Sequence, residues 1–376
     1  MEVLEVSDDF MDRIEEIDDR VMRLILKSIV EKSDSNLETM KELIDALPEK
    51  IPKFVSEFSK ILLENILSIG PKTLEENRKV RSDYESEIYK LWKEPIDLLE
   101  IYIGIAYEIG EKYNRLNRIN ATEKDDYTFE ALTRLHARGC QIANEVLVLL
   151  KSGYPDGAHA RWRTLHEVDV ISEFISKHGN DVAERYLYHN CIESYKAACV
   201  HRDCYKGIGE EPPSEDKIEQ LKEIRDDLCK RFGPNFNNPY GWALNALGKN
   251  GTNLTELEKS VGLDRLRPYY KFASNNVHAD AKGIMFKLGQ VNASNKSLLA
   301  GPSYLGLADA GDCTALSLLH ITYALLVSAS TVGKKTLEDC VEMNMMSLMQ
   351  EKIGEASIKV HNSTKLVGQL PIPDNK

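Results

Sequence analysis

From Asp8 to about Lys112 apolar residues recur at intervals of three and four, as in Met11, Ile14, Ile17, Val21 and Leu24, and alternating β-branched runs are scarce throughout the 376 residues. A period near 3.6 lines such residues up on one side of a helix, whereas a half-buried strand needs a period of two. The chain is therefore expected to be all-α, a multi-helix bundle in which any sheet would be one small hairpin.

Punctuation divides the pattern. Proline lacks the amide that a helix interior uses, so Ile51-Pro52 and Gly70-Pro71 predict the starts of new helices, and Pro95 a further break. An acidic N-terminal helical array over residues 1–115 follows from this, with the polar stretch Asn114 to Asp126 as the boundary to a helical-bundle core domain over 125–340. In that core Tyr127–Lys151, Asp156–Lys177 (with Asp156 as N-cap) and Asp181–Tyr205 are long helices. A charged helix ends near Phe232, short helices run to Gly262, another starts near Arg267, and Gly301-Pro302 to Asp312 reads as a loop. Cys313 to Val332 holds no Asp, Glu, Lys or Arg and nearly reaches membrane-spanning length, but Thr314, Ser317, His320, Thr322 and Tyr323 favour a central buried helix over a span facing lipid. Residues 359–376, with Pro371 and Pro373, read as a disordered tail.

Charge narrows the partners. Residues 1–100 hold 25 acidic and 15 basic side chains, and residues 101–376 hold 35 and 33. The acidic N-terminal region repels phosphate backbones and suits a protein partner. The seven cysteines form no Cys-x-x-Cys pair, and the acidic N-terminus has no export signal, so a cytosolic setting is expected.

Three helices carry polar stripes. His159, Arg163, His166 and Glu167 fall at i, i+4, i+7 and i+8, with Arg161 beside them; Arg185, His189, Glu193 and Lys196 repeat the spacing; Lys271, Ser274, Asn275 and His278 make the third. Buried polar stripes need partners merely to offset desolvation, so each alone is a packing feature as readily as a site. His166, Glu167, His189, Glu193, His278 and Asp280 have donors suited to a metal, but no His-Glu-x-x-His or paired Glu-x-x-His occurs and Arg163, Arg185 and Lys196 would repel a cation. No metal or other cofactor is expected. A hydrolase or oxygenase with metal on His189, Glu193 and His278 is the third-ranked reading.

At Arg161–Glu167, Tyr240-Gly-Trp242, Arg267–His278 and Ala300-Gly-Pro302, the chain resembles a family of uncharacterised bacterial helical proteins, over roughly residues 125–335. The layout is similar, more distantly, to HEPN domains, many of which cleave or bind RNA as two-fold dimers in bacterial stress and defence. The resemblance implies a HEPN-like core, a homo-oligomer, RNA or a nucleotide as ligand, and metal-independent cleavage if it is an enzyme. In the HEPN signature of Arg, polar residue, three others and His, His278 takes the histidine place and Ser274 the polar one, while Ala273 stands where arginine is expected and Lys271 supplies charge nearby. On this reading His278, Ser274, Lys271, His166 and Arg163 are catalytic, and Glu167, Arg161, His189, Glu193 and Asn275 bind substrate. The alternative is a non-catalytic helical interaction module, and neither reading involves a membrane.

Overall fold

The computed structural model describes residues 22, 25–27, 29, 31, 37–248, 253–278, 281–290, 298–328 and 336–367. It is all-α, with no strand among the described residues. Helices of eight or more residues are α1 (Leu37–Asp45), α2 (Leu47–Glu123), α3 (Tyr127–Lys151), α4 (Pro155–His178) and α5 (Asn180–Ile208). They continue as α6 (Glu215–Phe232), α7 (Leu254–Val261), α8 (Arg267–Val277), α9 (Leu307–Val327) and α10 (Leu337–Val367). Two compact units result, residues up to Ser82 and residues from Asp83 onward.

In the first unit, the helix starts expected at Pro52 and Pro71 are absent. α2 runs through both, and its sole non-helical backbone is at Trp92 (φ −103°, ψ 17°). Pro52 and Pro71 lie on exposed backbone, where the carbonyls they leave unbonded face water. The break at Trp92 fits Pro95, whose ring crowds the carbonyl four residues back. Val55, Leu62, Ile66, Ile69 and Val80 share one stripe of α2, at spacings of 7, 4, 3 and 11, and Leu63, Leu67 and Leu74 lie beside it. All eight are exposed, by 45–69%.

In the second unit α3, α4 and α9 pack on one another, α8 and α7 lie on α4, α10 on α9, and α5 bridges α3 and α6. α3 has the expected bounds, capped by Asp126, whose Oδ1 accepts from the Phe129 amide at 2.9 Å. The polar stretch Asn114–Asp126 falls inside this unit, as the last turns of α2 and the tight turn to α3. Asp156 is not the N-cap of α4. It sits one residue into the helix behind Pro155, and its Oδ1 accepts from the Leu288 amide at 3.1 Å, anchoring a distant loop.

α9 begins at Leu307, inside the segment read as a loop, because Leu307, Ala308 and Ala310 are buried and extend the apolar run. Although α9 is long and apolar enough to cross a membrane, 72% of its most apolar window is buried in the protein. Its hydroxyls are satisfied within the bundle: Thr314 and Thr322 donate to carbonyls one turn back, at 2.7 and 2.8 Å, and Ser317 accepts from Trp162. α10 carries the chain to Val367, through half of the segment read as a disordered tail. Ile353, Ala356 and Thr364 are buried and Val360 packs on the core, which holds those turns helical. Residues 368–376 lie outside the described residues.

Candidate functional site

Trp162, His166, Asp169 and Glu173, at spacings of 4, 3 and 4, occupy one face of α4 and meet α7, α8 and α9. His166 is fully buried between the rings of Trp162 and Tyr270, with centroids 5.4 and 5.5 Å away. Its Nε2 donates to Glu258 Oε1 at 3.0 Å, and Arg267 pairs with the other oxygen of that carboxylate. Burial works against a charge on Glu258, but the hydrogen bonds from His166 and Arg267 outweigh it and hold the carboxyl below its usual range.

A second chain of polar groups lies beside the first. Arg163 donates to the Tyr270 hydroxyl at 2.6 Å, and that hydroxyl donates to Glu167 Oε1 at 2.7 Å. The Arg163 guanidinium also stands over the Tyr270 ring, 4.7 Å from its centroid. Burial, then Glu167, push the Tyr270 hydroxyl up, so it stays protonated and can donate. Tyr240 faces the charges of Glu167, Arg163 and Glu258 from a left-handed backbone (φ 55°). Its neighbour must be Gly241, because a Cβ there would lie 2.4 Å from the Phe236 carbonyl oxygen. A non-glycine residue held in this conformation stores strain, and such strain gathers at functional sites.

Further along α4, His320 Nδ1 lies 3.0 Å from Oδ2 of the fully buried Asp169. Burial pulls His320 down, yet the Asp169 charge and hydrogen bond raise it above its ordinary 6.5. Glu173, one turn on, is pushed up to about 7 by burial and by Asp169. Both groups hold a proton that the unfolded chain releases earlier, so their stabilisation is full below their unfolded values and is lost as pH rises through the folded ones. His136, lowered to about 4 by burial, acts in the opposite sense but only below 6.5. Between pH 6.5 and 8.5 the melting temperature is therefore expected to fall, and Glu173→Gln, which stays neutral, to flatten that fall. An identical slope in the variant, read by calorimetry, would contradict the assignment.

The structure brings Arg163, His166 and Glu167 together and leaves the other candidates apart. Arg161 pairs with Glu145 on α3. His189 lies edge-on to Phe236, with Nε2 donating to the Asn238 carbonyl at 3.1 Å, while Glu193 pairs with Lys196. Both His189 and Glu193 line a cavity of about 360 Å³ between α3 and α5, together with Arg134 and Arg138. On α8, Ser274 donates to the Tyr270 carbonyl at 2.8 Å, Asn275 is half-buried, and Lys271 and His278 are exposed. His278 caps the helix eight residues beyond Tyr270, roughly 12 Å along its axis, so it does not share a pocket with His166. Among the described residues no three His, Cys, Asp or Glu side chains are grouped to hold a metal, and Asp280 lies outside them.

Sequence reasoning missed Glu258, Asp169 and His136. Glu258 sits in Leu-Thr-Glu-Leu-Glu, which reads as a solvated helix face, and nothing local marks its partner 92 residues away. His136 lies on the apolar face of α3 among Leu132, Leu135, Cys140 and Ala143, where a lone histidine is more often a core residue than a site. The signal for Tyr240 was present in the Tyr240-Gly-Trp242 motif.

An all-α bundle with a charged seam along one central helix is the class that this geometry defines. Residues 129–296, a little under half of the chain, match the model of a family of unknown function, DUF5677. The matched span includes Arg163, His166, Glu167, Tyr240, Glu258, Arg267 and Tyr270 and leaves out His320. Searches of curated proteins and of solved structures found no match.

Proposed function

We propose that this protein is a self-associating helical interaction module, in which α2 of the N-terminal unit pairs with α2 of a second copy. The exposed apolar face of Leu47–Ser82 carries this reading. Eight large apolar side chains at about half exposure offer on the order of 800 Å², the area each partner contributes to a standard interface. Monomeric proteins rarely leave a contiguous patch of that size in water. Charge favours a like copy as the occupant: residues 47–82 hold 5 acidic and 7 basic side chains, of both signs along the helix, whereas residues 1–46 hold 14 and 6. Two such helices meet without net repulsion, and Lys53, Glu57, Lys60 and Glu64 flank the face as partners for a crossing helix.

The core is consistent with a non-catalytic role, since its ionic groups are bonded chiefly to one another. An RNA-binding role is the second reading, favoured by the exposure of Lys271 and His278 on one face of α8. Light scattering after gel filtration tests the first. Leu62→Glu with Ile66→Glu places carboxylates in the seam, so the double variant should elute at half the mass of wild type while keeping the wild-type melting temperature of the core. A variant that keeps the wild-type mass would overturn the reading.

A further inference from the structure

Between α2 and α3 the second unit holds a cavity of about 500 Å³, within the size range of small-molecule sites. Its floor is His136. The imidazole is 97% removed from solvent and takes up the space beside Gly110, where a Cβ would lie 2.4 Å from Nδ1. A glycine at 110 is thus what lets a buried ring enter between the two helices. Thr322 fixes the tautomer. Its hydroxyl already donates to the Leu318 carbonyl at 2.8 Å, so at 3.2 Å it must accept from His136 Nε2–H. Nδ1 is then left with its lone pair, its near neighbour being the Cys140 thiol, 3.8 Å away, which also lines the cavity.

Burial keeps this ring uncharged at neutral pH, so it presents a neutral acceptor to a donor. The rim differs from the floor. Arg118 and Arg134 both line it, and both pair with the single carboxylate of Glu130, which leaves one positive charge uncompensated at that end. Tyr107, 61% exposed, stands at the same cavity with its ring free for stacking. An acceptor in a recess, an aromatic face and an anion-attracting rim together select a planar N–H-bearing heterocycle with an anionic substituent.

We propose that the cavity over His136 is a binding site for a purine nucleotide, with the base against His136 and the phosphate at Arg118 and Arg134. Neither the seam along α4 nor the apolar face of α2 contributes a side chain to it. Isothermal titration of the full chain with adenosine 5′-monophosphate, adenosine and inorganic phosphate tests it. The monophosphate should bind at least tenfold more tightly than adenosine, and phosphate alone should be the weakest. Arg134→Gln changes an exposed side chain and should bring the monophosphate down to the affinity of adenosine while leaving adenosine unchanged. Gly110→Ala displaces the imidazole and should weaken both, with a circular dichroism melt showing whether the domain still folds. No heat with either adenine compound, phosphate binding as tightly as the monophosphate, or an Arg134→Gln protein with unaltered affinity for the monophosphate would each overturn the site.

Discussion

Glu258→Ala is expected to destabilise the protein by about 3–5 kcal/mol, the size of effect seen when one member of a buried ion pair is removed. The carboxylate is fully buried and serves two donors, His166 Nε2 and Arg267. Alanine would leave the imidazole N–H without an acceptor between two aromatic rings and Arg267 without its counter-charge. His166 cannot compensate, because its Nδ1 is already buried without a hydrogen-bond partner. Total stabilities are of order 5–15 kcal/mol, so the loss is a large fraction of what holds the domain folded. Glu258→Gln keeps one acceptor and should lose less. Urea unfolding of the three proteins measures both steps, and a loss under about 1 kcal/mol for alanine would mean that water reaches the seam.

Leu325→Lys should be still more damaging. Leu325 is 1% exposed in the middle of α9, which packs against α3, α4 and α10. An ammonium there has no carboxylate in reach along its own helix, since Asp309 and Asp312 lie at the opposite end. Its desolvation costs several kcal/mol on top of the lost packing of the leucine. The variant should lose its cooperative melt and aggregate on expression. A melting temperature within a few degrees of wild type would show that α9 is not the central buried helix described here.

Much of this architecture could be read from local pattern. The bounds of α3 follow from Asp126 as cap and from apolar spacing, and the burial of α9 follows from its hydroxyl load, because both are decided within a few turns of chain. Pro52 and Pro71 misled for the same reason. Proline interrupts one backbone bond, and a helix exposed to water tolerates that loss where a buried one would bend, as α2 does near Trp92 ahead of Pro95. Asp156 was a capping residue by sequence and became a loop anchor, since Leu288, its partner, is 132 residues away.

Of the candidate site, Arg163, His166 and Glu167 were legible as one stripe, whereas the residues that complete it were not. Helical spacing says which side chains share a face and is silent about what stands opposite. Glu258 and Tyr270 therefore entered only with the tertiary structure. His278 failed to join them for a geometric reason: α8 ends at Val277, and the stripe that sequence places on one face leaves the protein surface as the helix runs out.

Sedimentation equilibrium of the intact wild-type chain, at micromolar concentration and moderate salt, tests the central claim most directly. The chain mass is 42.6 kDa. Pairing through α2 predicts twice that mass, held when salt is raised because the contact is apolar. A mass of one chain at every concentration would contradict it.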